Sequence, residues 1–177
     1  MGGSTLSRIV SWDYGFLDSR IAGEPDILTT RYDLVVAMPG ANIRGLRALV
    51  QELIPAAFHV NVKRETKDTD VFVLTAPSGK PAALVESTGA GGRGGPWEMG
   101  DGKLEMTECS MAQLTTVLES HVGRPVLDET GLSGRYDIKL KYDTSVRDGL
   151  LDALRSIGLK VDPARRPIEF LVVTKAQ

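Results

Sequence analysis

The sequence predicts an α+β fold built from two tandem similar modules, each with the order helix, strand, strand, helix, strand, strand. The helices are expected to pack on a small sheet. Three observations carry this reading. The tripeptide Arg-Tyr-Asp occurs twice, at Arg31-Tyr32-Asp33 and Arg135-Tyr136-Asp137. After each copy the apolar spacing changes in the same way, from alternation to helical spacing. Between the copies lies a stretch rich in glycine and proline with no sustained period. The expected boundaries are 4–76 for the first module, 77–102 for a connecting loop and 103–177 for the second module.

In the first module, Ser4 reads as the N-cap of a helix through Leu6, Ile9 and Val10 that stops at Gly15. Ile21 to Leu28 holds Gly23 and Pro25, so a short irregular strand is expected. Tyr32 to Met38 reads as a strand turned by Pro39-Gly40, and Asn42 as the cap of a helix ended by Pro55. Phe58 to Lys63 alternates apolar and polar residues. Lys67-Asp68-Thr69-Asp70 reads as a turn, with Val71 to Ala76 returning to close a hairpin.

In the second module, Leu104 to Thr107 is a short strand, and Ser110 caps a helix through Met111, Leu114, Leu118 and Val122 that ends at Gly123. Pro125 to Leu127 is a strand, and Tyr136 to Tyr142 another. Thr144 or Ser145 is expected to cap a helix closed by Gly158. Leu159 to Val161 and Ile168 to Thr174 are expected to form a last hairpin bent by Pro163 and Pro167, with Arg165-Arg166 in its turn. The Leu104 strand has no evident counterpart before Ser4, so an opening strand is expected upstream of it, and Met1-Gly2-Gly3-Ser4 reads as an artificial addition rather than a signal peptide.

The totals bound the function. A chain of 177 residues buries roughly 70% of the surface exposed when unfolded. Net charge is −2 and no long basic run exists to neutralise phosphates, so a nucleic-acid partner is not expected. No apolar run approaches the ~18 residues that cross a membrane, so direct membrane insertion is not expected either. Cys109 is alone and cannot form an internal disulfide.

No catalytic, cofactor or metal constellation emerges. His59 falls on the polar phase of an expected strand and His121 near a helix C-terminus, and neither sits in a nucleophile motif. Cys109 precedes a helix, where a thiol can be activated, but it reads better as a small buried residue. Asp68 and Asp70 lack calcium-loop spacing, and no His or Cys cluster suggests zinc. Gly89 to Gly94 formally fits G-x-G-x-x-G around Arg93, but the Gly95-Pro96 that follows leaves no helix N-terminus to face a phosphate. Arg31 with Asp33, and Arg135 with Asp137, share a strand face and are expected to form repeated surface ion pairs.

The stretch LDETGLSGRYDIKL from Leu127 to Leu140 resembles the TGLxGRYD signature of an uncharacterised soil-associated bacterial family, abundant in Acidobacteria and known only as a domain of unknown function. Met111 to Leu114, Gly123 to Val126, Tyr14-Gly15, Ile21, Gly23, Pro25, Arg31 to Asp33, Arg64 to Thr66 and the Phe72 strand extend the likeness over nearly the whole chain from Leu6. The family's opening strand is the one departure. The resemblance implies a location outside the cytoplasm, because members tend to carry an export signal or to follow the membrane segments of metallopeptidases similar to antibiotic-sensor proteins. It implies no activity. Each half is also similar to the short N-terminal domain of secretins and TonB-dependent receptors, a periplasmic docking module. The expectation is therefore a non-enzymatic extracytoplasmic interaction or sensing domain. Its partner would be a protein, either its own membrane-linked peptidase or an envelope component, and exposed sheet edges would be the docking surface. The alternative is a small-ligand-binding or hydrolytic domain with a site between the halves.

Overall fold

The computed structural model describes residues 3–35, 43–77, 79–88, 97–146 and 148–176. The fold is α+β, with helices and strands in mixed sheets. The chain divides into two compact units, one comprising Met1–Thr69 with Arg166–Gln177 and the other Asp70–Arg165. The expected residues Val36 to Asn42, with the Pro39-Gly40 turn and the Asn42 cap, lie outside the described residues, as do Gly89 to Gly94 and Arg93.

The first unit opens with strand β1 (Ser4–Thr5), which pairs antiparallel with β3 (Arg31–Tyr32). A strand thus precedes the first helix after all, and it takes up the expected cap Ser4. Thr5 caps α1 (Leu6–Tyr14) instead, its hydroxyl accepting from the Arg8 amide, and Gly15 ends the helix at φ +71°. The region expected as one irregular strand is β2 (Ile21–Gly23) followed by α2 (Pro25–Thr29), because Pro25 at the first helical turn starts a helix readily. Of the expected strand Tyr32 to Met38, Tyr32 alone among the described residues lies in a strand, β3.

Helix α3 (Ile43–Phe58) runs through Pro55 rather than ending there. Proline has no N–H, so the Gln51 carbonyl one turn back loses its helical donor. The Tyr14 hydroxyl donates to that carbonyl at 3.2 Å. The helix ends at His59, whose φ of +53° breaks the repeat. Leu6, Ile9 and Val10 of α1 and Val50 and Ile54 of α3 form a core with Val60, Leu171 and Val173.

Two expected hairpins are instead two long strands, β4 (Val60–Thr75) and β10 (Lys160–Lys175), of 16 residues each. Each contributes to both units. In the first unit the Ala176 amide donates to the His59 carbonyl and Arg64 meets Glu169, so the strands run antiparallel. In the second, Thr75 donates to the Lys160 carbonyl and Arg165 lies 4.0 Å from Asp70. The polar middle of β4 resembles a turn in composition, yet its charges alternate along one face. Lys63 and Lys67 flank Glu65 at 2.5 and 3.0 Å. Such exposed pairs add little stability, but the spacing of two is that of a strand. In β10, pairing with β2 covers only Leu171 to Val173. Upstream, a strand open on one side accommodates Pro163 and Pro167, which need no partner for a missing N–H.

In the second unit, β7 (Lys103–Cys109) lies between β9 (Tyr136–Lys141) and β6 (Trp97–Gly100), and β5 (Val85–Glu86) pairs with the far side of β9. Strands β5 and β6 lie in the segment expected as an unstructured connection. Helix α4 (Met111–Val122) begins with a reciprocal capping box between Ser110 and Gln113 and ends at Gly123. Helix α5 (Gly149–Ser156) starts later than expected. The expected cap Ser145 is held in a turn by the Asp143 carboxylate, which accepts from its amide at 2.8 Å and from its hydroxyl. Met111, Leu114 and Leu118 of α4 and Leu150, Leu151 and Leu154 of α5 pack with Leu104, Ile138 and Leu140.

Glu119 is only 1% exposed. Its carboxylate accepts from the Val126 amide at 3.0 Å and ties the end of α4 to β8 (Val126–Asp128), which pairs parallel with β4. Replacing Glu119 by Ala strands that amide, so urea denaturation of the Glu119→Ala protein should show a loss of about 2 kcal/mol, with Glu119→Gln losing less.

Candidate functional site

The residues of the TGLSGRYD stretch build a loop and a clamp. Asp128 accepts from the Thr130 amide at 3.0 Å and from its hydroxyl at 2.7 Å, and that hydroxyl accepts from the Leu132 amide. Gly131 takes φ +69°, which suits a residue without a side chain. Arg135 and Asp137 do not act as the expected simple surface ion pair. The Arg135 guanidinium donates to the Glu108 carbonyl at 2.7 Å, and the Asp137 carboxylate accepts from the Glu108 amide at 2.9 Å. Glu108 sits at φ +50°, where the register of β7 against β9 shifts between Met106 and Cys109. The first copy makes a matching contact, with Arg31 donating to the Gly3 carbonyl at 2.8 Å. Gly3 and Glu108 each lie two residues before a helix N-cap, Thr5 or Ser110.

The clamp sets where α4 starts, and α4 forms one wall of an open cleft of about 570 Å³ in the second unit. The opposite wall is the β6–β7 hairpin. Asp101 at φ +47° and Gly102 at φ +72° make its two-residue turn. Trp97, Met99, Met106, Cys109, Val117 and Tyr142 supply the apolar surface. Trp97 is 61% exposed at the rim, and His121 meets the Tyr142 ring edge-on at 6.1 Å.

Three polar side chains of the cleft, from Gln113, Thr116 and Ser120, are held by the helix itself. Thr116 donates to the Ala112 carbonyl at 2.9 Å and Ser120 to the Thr116 carbonyl at 3.1 Å. Gln113 closes the capping box with Ser110. None of the described lining residues is Asp, Glu, Lys or Arg. The cleft therefore presents mainly apolar side chains beside the uncharged polar groups of Thr107 and Tyr142 and the His121 ring, a lining suited to an apolar group.

The individually weighed residues are dispersed. His59 is an exposed helix terminator, not a strand residue. His121 is at the cleft rim. Asp68 and Asp70 belong to β4 rather than to a turn, and Arg165-Arg166 to β10. Among the described residues no group of three His, Cys, Asp or Glu is placed to hold a metal. Cys109 is 2% exposed, and burial pushes its thiol up to about 11. The cleft itself was missed in the sequence. Its signal was Asp101-Gly102 between alternating apolar residues, which is the mark of a hairpin.

Two outcomes follow from this geometry. Removing the Asp137 carboxylate leaves the Glu108 amide without its acceptor. Asp137→Ala should lose about 1–3 kcal/mol in urea denaturation. The Cys109 thiol titrates near 8.5 when unfolded and near 11 when folded, so the fold favours its neutral form. That contribution is complete below about pH 8.5 and disappears as pH rises towards 11. A thiol reagent at pH 8 should leave the native protein unmodified and label it once in urea, and the melting temperature should fall through the same alkaline window.

The model of a family described as "Protein of unknown function (DUF3738)" matches residues 7–176. No curated protein and no solved structure matches the chain. No helix among the described residues is long and apolar enough to cross a membrane.

Proposed function

The chain belongs to the DUF3738 family, and from that premise we propose that it is a non-catalytic interaction domain whose cleft receives an apolar segment of a partner protein. The observation that carries the proposal is the cleft lining, where apolar side chains dominate and the neighbouring hydroxyl and amide groups are bonded within α4. A nucleophile–base pair would require a hydroxyl or thiol activated by an oriented base. Here the Thr116 and Ser120 hydroxyls face helix carbonyls, and the thiol is pushed up by burial.

Strand β6 is the last strand of its sheet among the described residues. An extended partner segment pairing along β6 would set alternate side chains beside Trp97 and Met99. The resemblance to exported soil-bacterial proteins supports a place outside the cytoplasm, with a membrane-linked peptidase or another envelope protein as partner. The matching contacts of Arg31 with the Gly3 carbonyl and of Arg135 with the Glu108 carbonyl support reading the paired Arg-Tyr-Asp segments as an ancient duplication.

A Trp12→Phe protein reports on the cleft through Trp97 alone. Extended peptides alternating Val and Thr should shift its emission to the blue saturably, whereas peptides alternating Lys and Glu should not. Thr116→Arg places a charge in the cleft from an exposed helix position and should weaken peptide binding at least tenfold, about 1.4 kcal/mol, while changing stability by less than about 0.5 kcal/mol. Equal binding by the Arg variant would overturn the proposal. Turnover of a model ester or peptide that vanishes in His121→Ala would favour the hydrolytic alternative.

A further inference from the structure

The first unit holds a second pocket, of about 530 Å³, between the C-terminal end of α1 and one face of α3. Arg44, Arg47 and Gln51 line it from α3, spaced so that they share a face, and Asp13 and Tyr14 line it from α1. Gln51 braces the walls, its side-chain amide donating to the Asp13 carbonyl and its own carbonyl accepting from the Tyr14 hydroxyl. Neither of the facing charges is used in this bracing.

Asp13 is 8% exposed, and among the described residues its carboxylate has no hydrogen bond and no ion pair. The Arg47 guanidinium lies 5.1 Å over the Trp12 ring, and its Nε is buried without an acceptor. Burial pushes the Asp13 carboxyl up, and the Arg47 charge pulls it down, so the two sense each other without direct contact. An unpaired buried carboxylate is costly, and so is an unmet buried donor. A simple anion would satisfy the arginines but approach Asp13, and a simple cation would meet the reverse problem. One species relieves both.

We propose that this pocket binds a small zwitterion of the amino-acid type, its carboxylate on the Arg47 and Arg44 guanidiniums and its ammonium on Asp13. The guanidinium fork matches a carboxylate in two parallel hydrogen bonds, which an ammonium in place of Arg47 cannot do. Trp12 is 67% exposed beside the pocket and offers an apolar surface to the ligand's side chain.

The test uses the full chain carrying Trp97→Phe, so that Trp12 is the remaining tryptophan. It is titrated with glycine, leucine, phenylalanine, glutamate and lysine, and separately with acetate and methylammonium. At least one amino acid should change Trp12 emission saturably and bind at least tenfold tighter than acetate or methylammonium, a gap of about 1.4 kcal/mol. Asp13→Asn and Arg47→Lys keep the size of one group and the charge of the other, and each should weaken that amino acid at least tenfold. Absence of saturation by all five amino acids up to about 10 mM, acetate binding as tightly as the amino acid, or unchanged affinity in both variants would each overturn the proposal.

Discussion

Holding a residue that bears a side chain in the left-handed region costs about 1–3 kcal/mol, and at Glu108 two side chains from the start of β9, the neighbouring strand of the sheet, offset it. Arg135 takes the carbonyl and Asp137 the amide of that one residue. With the backbone fixed there, β7 leaves its register against β9, Cys109 turns into the core, and Ser110 stands free to cap α4. The far end of the same helix is then tied by Glu119 to β8. The position of α4 in turn decides how far it stands from the β6–β7 hairpin, and that separation is the cleft. A largely buried tripeptide thus shapes the cleft by fixing the backbone of one distant residue.

The two copies of the tripeptide solve a common local problem with different neighbours. Gly3 occupies the place that Glu108 has in the second copy, and a Cβ there would lie 2.6 Å from the Tyr32 carbonyl. Glycine removes that clash without any bulge, and the strand it leads into is only two residues long. The first unit therefore keeps the arginine contact but builds no hairpin against its helix comparable to β6 and β7 among the described residues.

Much of the fold could be read from the residues because the information was local. The α1 and α4 spans, the Gly15 and Gly123 stops, the Ser110 cap and the β7 and β9 alternation all follow from neighbouring side chains. What could not be read depends on distant partners. The charged middle of β4 looks like a turn until β10 is alongside it. Pro55 looks like a helix end until Tyr14 supplies a donor to the Gln51 carbonyl. Arg135 and Asp137 look like partners of one another because their shared target, the backbone of residue 108, lies 27 residues from Arg135. The cleft was invisible for the same reason, apart from its Asp-Gly turn. So was the Asp13 and Arg47 pocket, whose groups come from separate helices.

The allocation of β10 has a consequence for folding. The unit from Asp70 to Arg165 is one unbroken stretch of polypeptide, whereas the other combines the N-terminal 69 residues with the final segment from Arg166. The Asp70 to Arg165 unit can therefore close from contiguous residues, whereas the other needs two separate segments. Helices α1 and α3 can pack on one another, but their core is complete only with Leu171 and Val173 of β10. Long-range closure of this kind slows folding and prolongs the exposure of sticky surface. Closure of the first unit thus depends on a segment distant in sequence, and α1 and α3 complete their core only when the stretch from Arg166 joins them.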